Sequence, residues 1–265
     1  MTQETVNLSL PALLLAVSLL CIPIFLSLRF GLGLVRQIIF SFLRMSLQLA
    51  LIGVFLVYIF KLNNPFINVV WLIVMVIVAV FSAIGRSYLS VKYVLWPAFA
   101  SFFTATFFVV LFLNIFVVRL DFIFDARYLI VLGGMVLGNS LRGSIVGISS
   151  FYKGIKEHYK KYLFLIANGA TVSEATLPFL KESMRLALQP TLAAMATMGI
   201  VSLPGMMTGV ILGGADPVVA IKYQIMIMSA ILVSTVFSVL MTIVFTRKSC
   251  FDSFGRLNQD IFAKK

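Results

Sequence analysis

Acidic side chains are scarce in this 265-residue chain: nine Asp and Glu stand against 21 Lys and Arg, and charged residues of all kinds make up only 11%. A soluble domain carries about 25%. With 61% of residues hydrophobic and a mean hydropathy of +1.09, too little polar surface remains to wrap a water-soluble globule. Soluble enzymes, nucleic-acid-binding domains and secreted disulfide scaffolds are excluded, and an integral membrane protein remains. Cysteine is almost missing as well. Cys21 and Cys250 lie far apart and outside any CxxC pair, so neither a disulfide framework nor a thiolate metal site is implied. The single histidine, His158, sits in a basic stretch and reads as a solvated residue rather than a relay or ligand. The net charge of +12 does not indicate a nucleic-acid partner, because the basic residues form short clusters between apolar runs instead of one basic face.

Catalytic signatures are missing too: there is no GxSxG, no HExxH and no GxxxxGK[ST] phosphate loop. The chain therefore cannot hydrolyse ATP through a phosphate loop of its own, and no catalytic role and no cofactor bound by this chain are expected. Uphill transport would have to draw its energy from another polypeptide.

Long apolar runs are what the sequence does have. Windows of about 20 apolar residues, enough to cross a hydrocarbon core, occur seven times. Their approximate limits are Leu8–Leu28, Ile38–Phe60, Phe66–Ile84, Trp96–Val118, Tyr128–Ile148, Pro190–Leu212 and Val218–Phe245. Barrel strands would alternate apolar and polar residues over about ten positions. These runs do not, so the expected fold is all-α, a polytopic membrane bundle of about seven transmembrane helices forming one transmembrane domain over residues 1–265. The N-terminal MTQETVN carries Glu4 and no basic residue, so it lacks a signal-peptide n-region and is expected to be retained.

Basic residues set the orientation. Arg29, Arg36, Arg86, Lys92, the lysines and arginine of 153–185, and a tail with Arg247, Lys248, Arg256, Lys264 and Lys265 fall on one side. Lys61, Arg119, Arg127 and Lys222 fall on the other. The imbalance predicts N-out and C-in. The longest polar connection, about 149–189, then lies in the cytoplasm between spans five and six. It has a break at Asn168-Gly169, and Thr171 and Glu174 stand at the spacing of a helix capping box that opens a short amphipathic helix.

All nine acidic residues fall in expected loops or tails. An ion-coupled carrier usually keeps a carboxylate within the membrane as its coupling group. Span six is the most informative run: VSLPGMMTG contains Pro204, which cannot donate to the Ile200 carbonyl, and Gly205 and Gly209 allow close approach. Such an interruption marks either a transport pathway or a kinked packing helix. Met206 and Met207, with Met195 and Met198 nearby and Met226 and Met228 on span seven, offer thioethers to a soft metal, or simply fill gaps. Span five carries two GxxxG patterns, Gly134/Gly138 and Gly143/Gly147, together with Asn139 and Arg142 three residues apart. On span two, Arg44 and Gln48 are an i, i+4 pair. Gln48, Asn139 and Gln224 suit a hydrogen-bonded organic anion, so the cargo chemistry stays open.

The string VSLPGMMTGVILGGADPVVAIKYQIM, with GMVLGN in span five and the NGAT turn, closely resembles the FetB-like ABC transporter permeases, a family that includes a bacterial iron exporter permease and the membrane subunit of a plant aluminium-tolerance transporter. The resemblance is strongest over 133–226. It implies a permease domain of the inner (plasma) membrane that works as two copies with a separately encoded cytoplasmic ATPase subunit that holds ATP and Mg²⁺. It implies export of iron or another metal in bacteria, and a nucleotide-sugar cargo for plant relatives. The NGATVSEATLPFL stretch also looks like the coupling helix of ABC importer permeases, which makes Gly169, Ala170, Thr171, Glu174 and Ala175 the expected ATPase-docking residues. Met206 and Met207 are the metal candidates, and Asn139, Pro204, Gly205, Gln224, Met226 and Gln48 complete the expected pathway. Arg142 departs from the family pattern, and a positive charge there opposes a cation and favours an anion.

Overall fold

A computed structural model describes residues 9–87, 89–252 and 254–262. Glu4, Lys264 and Lys265 lie outside the described residues. Helices follow one another along the chain: α1 (Leu10–Ser18), α2 (Cys21–Arg29), α3 (Val35–Leu62), α4 (Pro65–Ser87), α5 (Val91–Phe112), α6 (Ala126–Glu157), α7 (Tyr159–Ala167), α8 (Val172–Thr197), α9 (Gly205–Leu212) and α10 (Pro217–Cys250). A π-helical turn, Leu113–Val117, extends α5. Among the described residues there is no β-strand beyond isolated bridges. Six helical segments are long and apolar enough to cross a membrane: Leu10–Arg29 (α1 with α2), α3, α4, α5 with its π turn, α6 and α10.

The two longest helices, α6 and α10, start where the sequence supplies a cap. The Asp125 carboxylate accepts from the Arg127 N–H and opens α6. The Asp216 carboxylate accepts from the Val218 N–H and opens α10, and Pro217 follows at the first turn, where its missing N–H costs nothing. Asn63, at φ +38°, ends α3 in the left-handed region and ties the α3–α4 turn to α6: its Nδ2 donates to Asp125 at 3.0 Å, and its Oδ1 accepts from the Ala126 N–H at 2.8 Å.

The expected sixth span, Pro190–Leu212, is not one helix. The helix opened at Thr171 does not stop after a few turns but runs through Pro178 and Pro190 to Thr197. Residues 198–204 are then non-helical, and α9 restarts at Gly205. The reason lies in the backbone. Gly199 adopts φ +90°, its N–H bonds back to the Ser202 carbonyl, and Pro204 sits in an extended conformation as the cap of α9. The interruption read from the sequence is thus a full break of the helix, and the amphipathic helix expected after Thr171 and the first third of the expected span six, Pro190–Thr197, are a single 26-residue rod, about 39 Å long.

That rod runs antiparallel to α10. Ser173 near its start accepts from Arg247 Nη1 at 2.9 Å, and Met198 just past its end meets Gln224. Between these points α6, α8 and α10 come together over the second GxxxG of α6. A Cβ on Gly143 would stand 2.6 Å from the Ala187 carbonyl oxygen and 2.7 Å from Thr235 Cγ2. One on Gly147 would stand 2.9 Å from Ala187 Cβ and 3.0 Å from Val239 Cγ1. Only glycine allows that approach. In the first GxxxG, Gly134 faces Met75 of α4, whereas nothing lies within 4 Å of Gly138.

Candidate functional site

Just beyond the glycine contact the three helices separate and leave a cavity of about 390 Å³, closed on one side by the broken segment before α9. Met135, Asn139 and Arg142 reach it from one face of α6, since positions i, i+4 and i+7 align on a helix. Pro190, Thr191, Ala194 and Met198 come from α8 and its end, Pro204, Gly205 and Met206 from the break and α9, and Gln224, Ile227 and Met228 from α10.

Three features set its chemistry. Arg142 is the only ionisable residue on its wall, and no ion pair engages it, since among the described residues the pairs are Lys153–Glu157 and Asp252–Arg256. Second, four thioethers, from Met135, Met198, Met206 and Met228, surround it. Third, its amides are held in place: Asn139 Nδ2 donates to the Met135 carbonyl at 2.8 Å, and the nearly buried Gln224 donates from Nε2 to Met198 Sδ at 3.5 Å. No carboxylate lines the cavity. Among the described residues no three His, Cys, Asp or Glu gather as a metal cage, and Asp121, Asp125, Glu157, Glu174, Glu182, Asp216, Asp252 and Asp260 are all outside the buried set.

The far end of α8 is built differently. Gly169, at φ +88°, ends α7, its N–H returning to the Ile166 carbonyl and that of Ala170 to Leu165. The backbone N–H of Thr171 then donates to Glu174 Oε2 at 2.8 Å, while the Glu174 N–H donates to Thr171 Oγ1 at 3.3 Å. The capping box expected from the sequence is complete. These bonds, the Thr171 N–H first and its hydroxyl second, hold the Glu174 carboxyl below its ordinary pKa. The turn is braced from behind: the Tyr162 hydroxyl donates to the Gly255 carbonyl, and Gly255 packs on Val172 and Ile166, so the segment after α10 folds back under the start of α8.

The sequence profile of the Uncharacterised protein family (UPF0014) matches residues 10–251. The chain belongs to UPF0014. Protein ALUMINUM SENSITIVE 3 of Arabidopsis thaliana is 35% identical over 222 residues, 83% of this chain and 78% of its own length. The probable iron export permease protein FetB of Escherichia coli is 29% identical over 247 residues, 93% of this chain and 94% of its own. The UPF0014 membrane protein YjkA of Bacillus subtilis is 29% identical over 240 residues, 90% and 94%. No solved structure matches. This UPF0014 chain is a multi-pass membrane protein, as its apolar helices require.

Of the pathway residues expected from its sequence, this UPF0014 member gathers Asn139, Pro204, Gly205, Met206 and Gln224 on one cavity and leaves three elsewhere. Met207 is buried about 100° round α9 from Met206 and does not line the cavity. Met226 faces a separate groove against α5. It cannot share a face with Gln224, because two residues on a helix point about 200° apart. Gln48 is exposed on α3, whose buried contact with the body is at Ile59, three turns away. At the other end Gly169, Thr171 and Glu174 are exposed, but Ala175 is fully buried beneath them, so it supports the turn rather than presenting a surface. Ala170 is half-buried. Met135 and Thr191 escaped the sequence reading. Met135 stands one turn from Asn139 and was detectable by that spacing, whereas Thr191 needed the knowledge that α8 continues.

Proposed function

We propose that this chain is the membrane permease subunit of an ATP-driven exporter in the plasma membrane. It would be one permease domain, N-out and C-in, working as a pair of copies with a separate cytoplasmic ATPase that supplies ATP and Mg²⁺. The observation that carries this reading is α8. One continuous helix joins an exposed, capped turn at Gly169–Glu174 to the wall of the Arg142 cavity. The basic side chains Lys153, Lys156 and Arg247 at that end support reading it as cytoplasmic by the positive-inside rule.

The mechanics follow from the rod. A partner closing on ATP pushes the turn, a helix of about 39 Å transmits the displacement end to end, and the non-helical 198–204 segment yields because it has few backbone bonds to break. Pro190, which cannot donate to the Leu186 carbonyl, marks a second bending point on the cavity wall. Such rocking about a fixed site gives alternating access.

For cargo, iron or another metal is the first reading, supported by the relative named for iron export and by the four thioethers. Arg142 favours a second, an organic anion such as a nucleotide sugar. A like unit charge about 5 Å from the guanidinium is opposed by about 3 kcal/mol at an effective dielectric constant of about 20. Reconstitution with the ATPase partner tests both. Metals or anions that traverse the pocket should stimulate ATP hydrolysis, and Arg142→Gln should abolish stimulation by anions while leaving or raising that by cations. Transport unaffected by ATP depletion, with no ATPase recovered alongside the protein from mild detergent, would reject the whole reading.

A further inference from the structure

A second cavity, about 850 Å³, lies on the membrane-facing side between α5 and α10 and has no share in the Arg142 site. Ala105 and Ala230 form part of its lining and are both buried, and Phe108, Phe112 and Phe237 stand exposed along it. The Ser229 hydroxyl on its wall is already spent on the Ile225 carbonyl at 3.0 Å. One charged residue lines it, Lys222. That lysine is five positions into α10, whose helix begins at Pro217, so it lies about 8 Å from the helix end and its long side chain reaches headgroup level. No ion pair among the described residues engages it.

The dimensions fit a lipid chain. The groove follows α10 from Lys222 to Met241, about 28 Å, and its first part, from Lys222 to Val233, is about 16 Å, half of the roughly 30 Å hydrocarbon core and thus the reach of a chain in one leaflet.

We propose that this groove is a binding site for an anionic phospholipid, its acyl chain lying along Phe108 and Phe112 and its phosphate on the Lys222 ammonium. Charge complementarity selects the headgroup: one basic residue at the bilayer surface favours an anionic lipid about fivefold, while the apolar wall takes the chain of any phospholipid.

Native mass spectrometry of the full-length protein, delipidated and then titrated with phosphatidylglycerol or phosphatidylcholine, tests the site. The wild type should retain phosphatidylglycerol about fivefold better. Lys222→Gln should lose that preference with phosphatidylcholine unchanged, and Lys222→Arg should keep it. Ser229→Phe, at an exposed position that fills the groove, should lose both lipids. Equal retention of the two lipids by the wild type, or an unaltered preference in Lys222→Gln, would overturn the proposal. So would a disulfide-linked dimer formed through Ser229→Cys in lipid-replete membranes, which would put a second copy there instead.

Discussion

The first 62 residues and the rest of the chain are comparably apolar, yet they pack in opposite ways. Among the described residues α1 buries none and α3 buries only Ile59, whereas α6 and α10 bury residues along their whole lengths. The buried set of α6 and α10 is rich in small and hydroxyl side chains: Gly133, Ser140, Gly143, Ser144 and Gly147 on one, Ala230, Ser234, Thr235, Ser238, Thr242 and Thr246 on the other. The exposed flank of α3 is Leu43, Leu47, Leu49, Leu51, Val54 and Val57. Leucine inserts a helix into lipid, but lipid is as apolar as leucine and gives two such helices no reason to meet. Close approach and backbone-level fit decide which helices become the body that shapes the cavity.

Gly143→Ala set against Gly53→Ala is the strongest way to break that contrast. At Gly143 the new methyl would stand 2.6 Å from a backbone carbonyl that cannot move aside, and overpacking of this kind costs about 1–3 kcal/mol. At Gly53, in the middle of α3, nothing lies within 4 Å, so the same change should be neutral or stabilise by up to about 1 kcal/mol through helix propensity. Thermal unfolding of the two purified variants in one detergent reads both. Shifts of the same sign would show that the two regions obey the same packing rule after all.

The run lengths that built α3, α4, α5, α6 and α10 were visible in the sequence because a bilayer fixes how many apolar residues a crossing needs. The capping box at Thr171 was visible because it is local. What escaped was extent. Pro190 reads as the first residue of a new span, since proline usually starts or ends helices, but here it lines a cavity, where a lost backbone bond costs less than it does against lipid. The helix therefore passes through it, and that continuity joins the capped turn at Thr171 and the cavity in one rod. Likewise, which methionines face inward depended on the register of α9 and α10. Gln224 and Met228, four apart, line the cavity together, and Met226 between them faces away.

A smaller effect belongs to the exposed end of α8. The Thr171 N–H bond to Glu174 holds that carboxyl below its ordinary pKa, so its contribution to the helix start is complete above the ordinary glutamate value and is lost as pH falls through the lowered one. Hydrogen exchange at the first-turn amides should therefore speed up in acid relative to Glu174→Gln at the same pH, while the two proteins exchange at more nearly constant relative rates above it. Amides of α6 near Gly143, where no such group titrates, should show no difference between the two proteins. A pH-dependent difference there would mean that the turn and the body share one opening event.

Tyr152→Phe sharpens the contrast at its finest scale. The Tyr152 hydroxyl on α6 donates to Thr246 Oγ1 on α10, both buried, and Thr246 in turn donates to the Thr242 carbonyl at 2.6 Å. Removing the phenol hydroxyl leaves the threonine with that second bond, so no donor is stranded, and interhelical bonds of this kind average about 0.6 kcal/mol in a membrane. Tyr58→Phe, at an exposed position on α3, should change nothing. If Tyr152→Phe instead cost as much as Gly143→Ala, directed hydrogen bonds rather than glycine-level fit would be what separates the body from α3, and the hydroxyl column of α10 would replace the glycines of α6 as the feature that holds the cavity open.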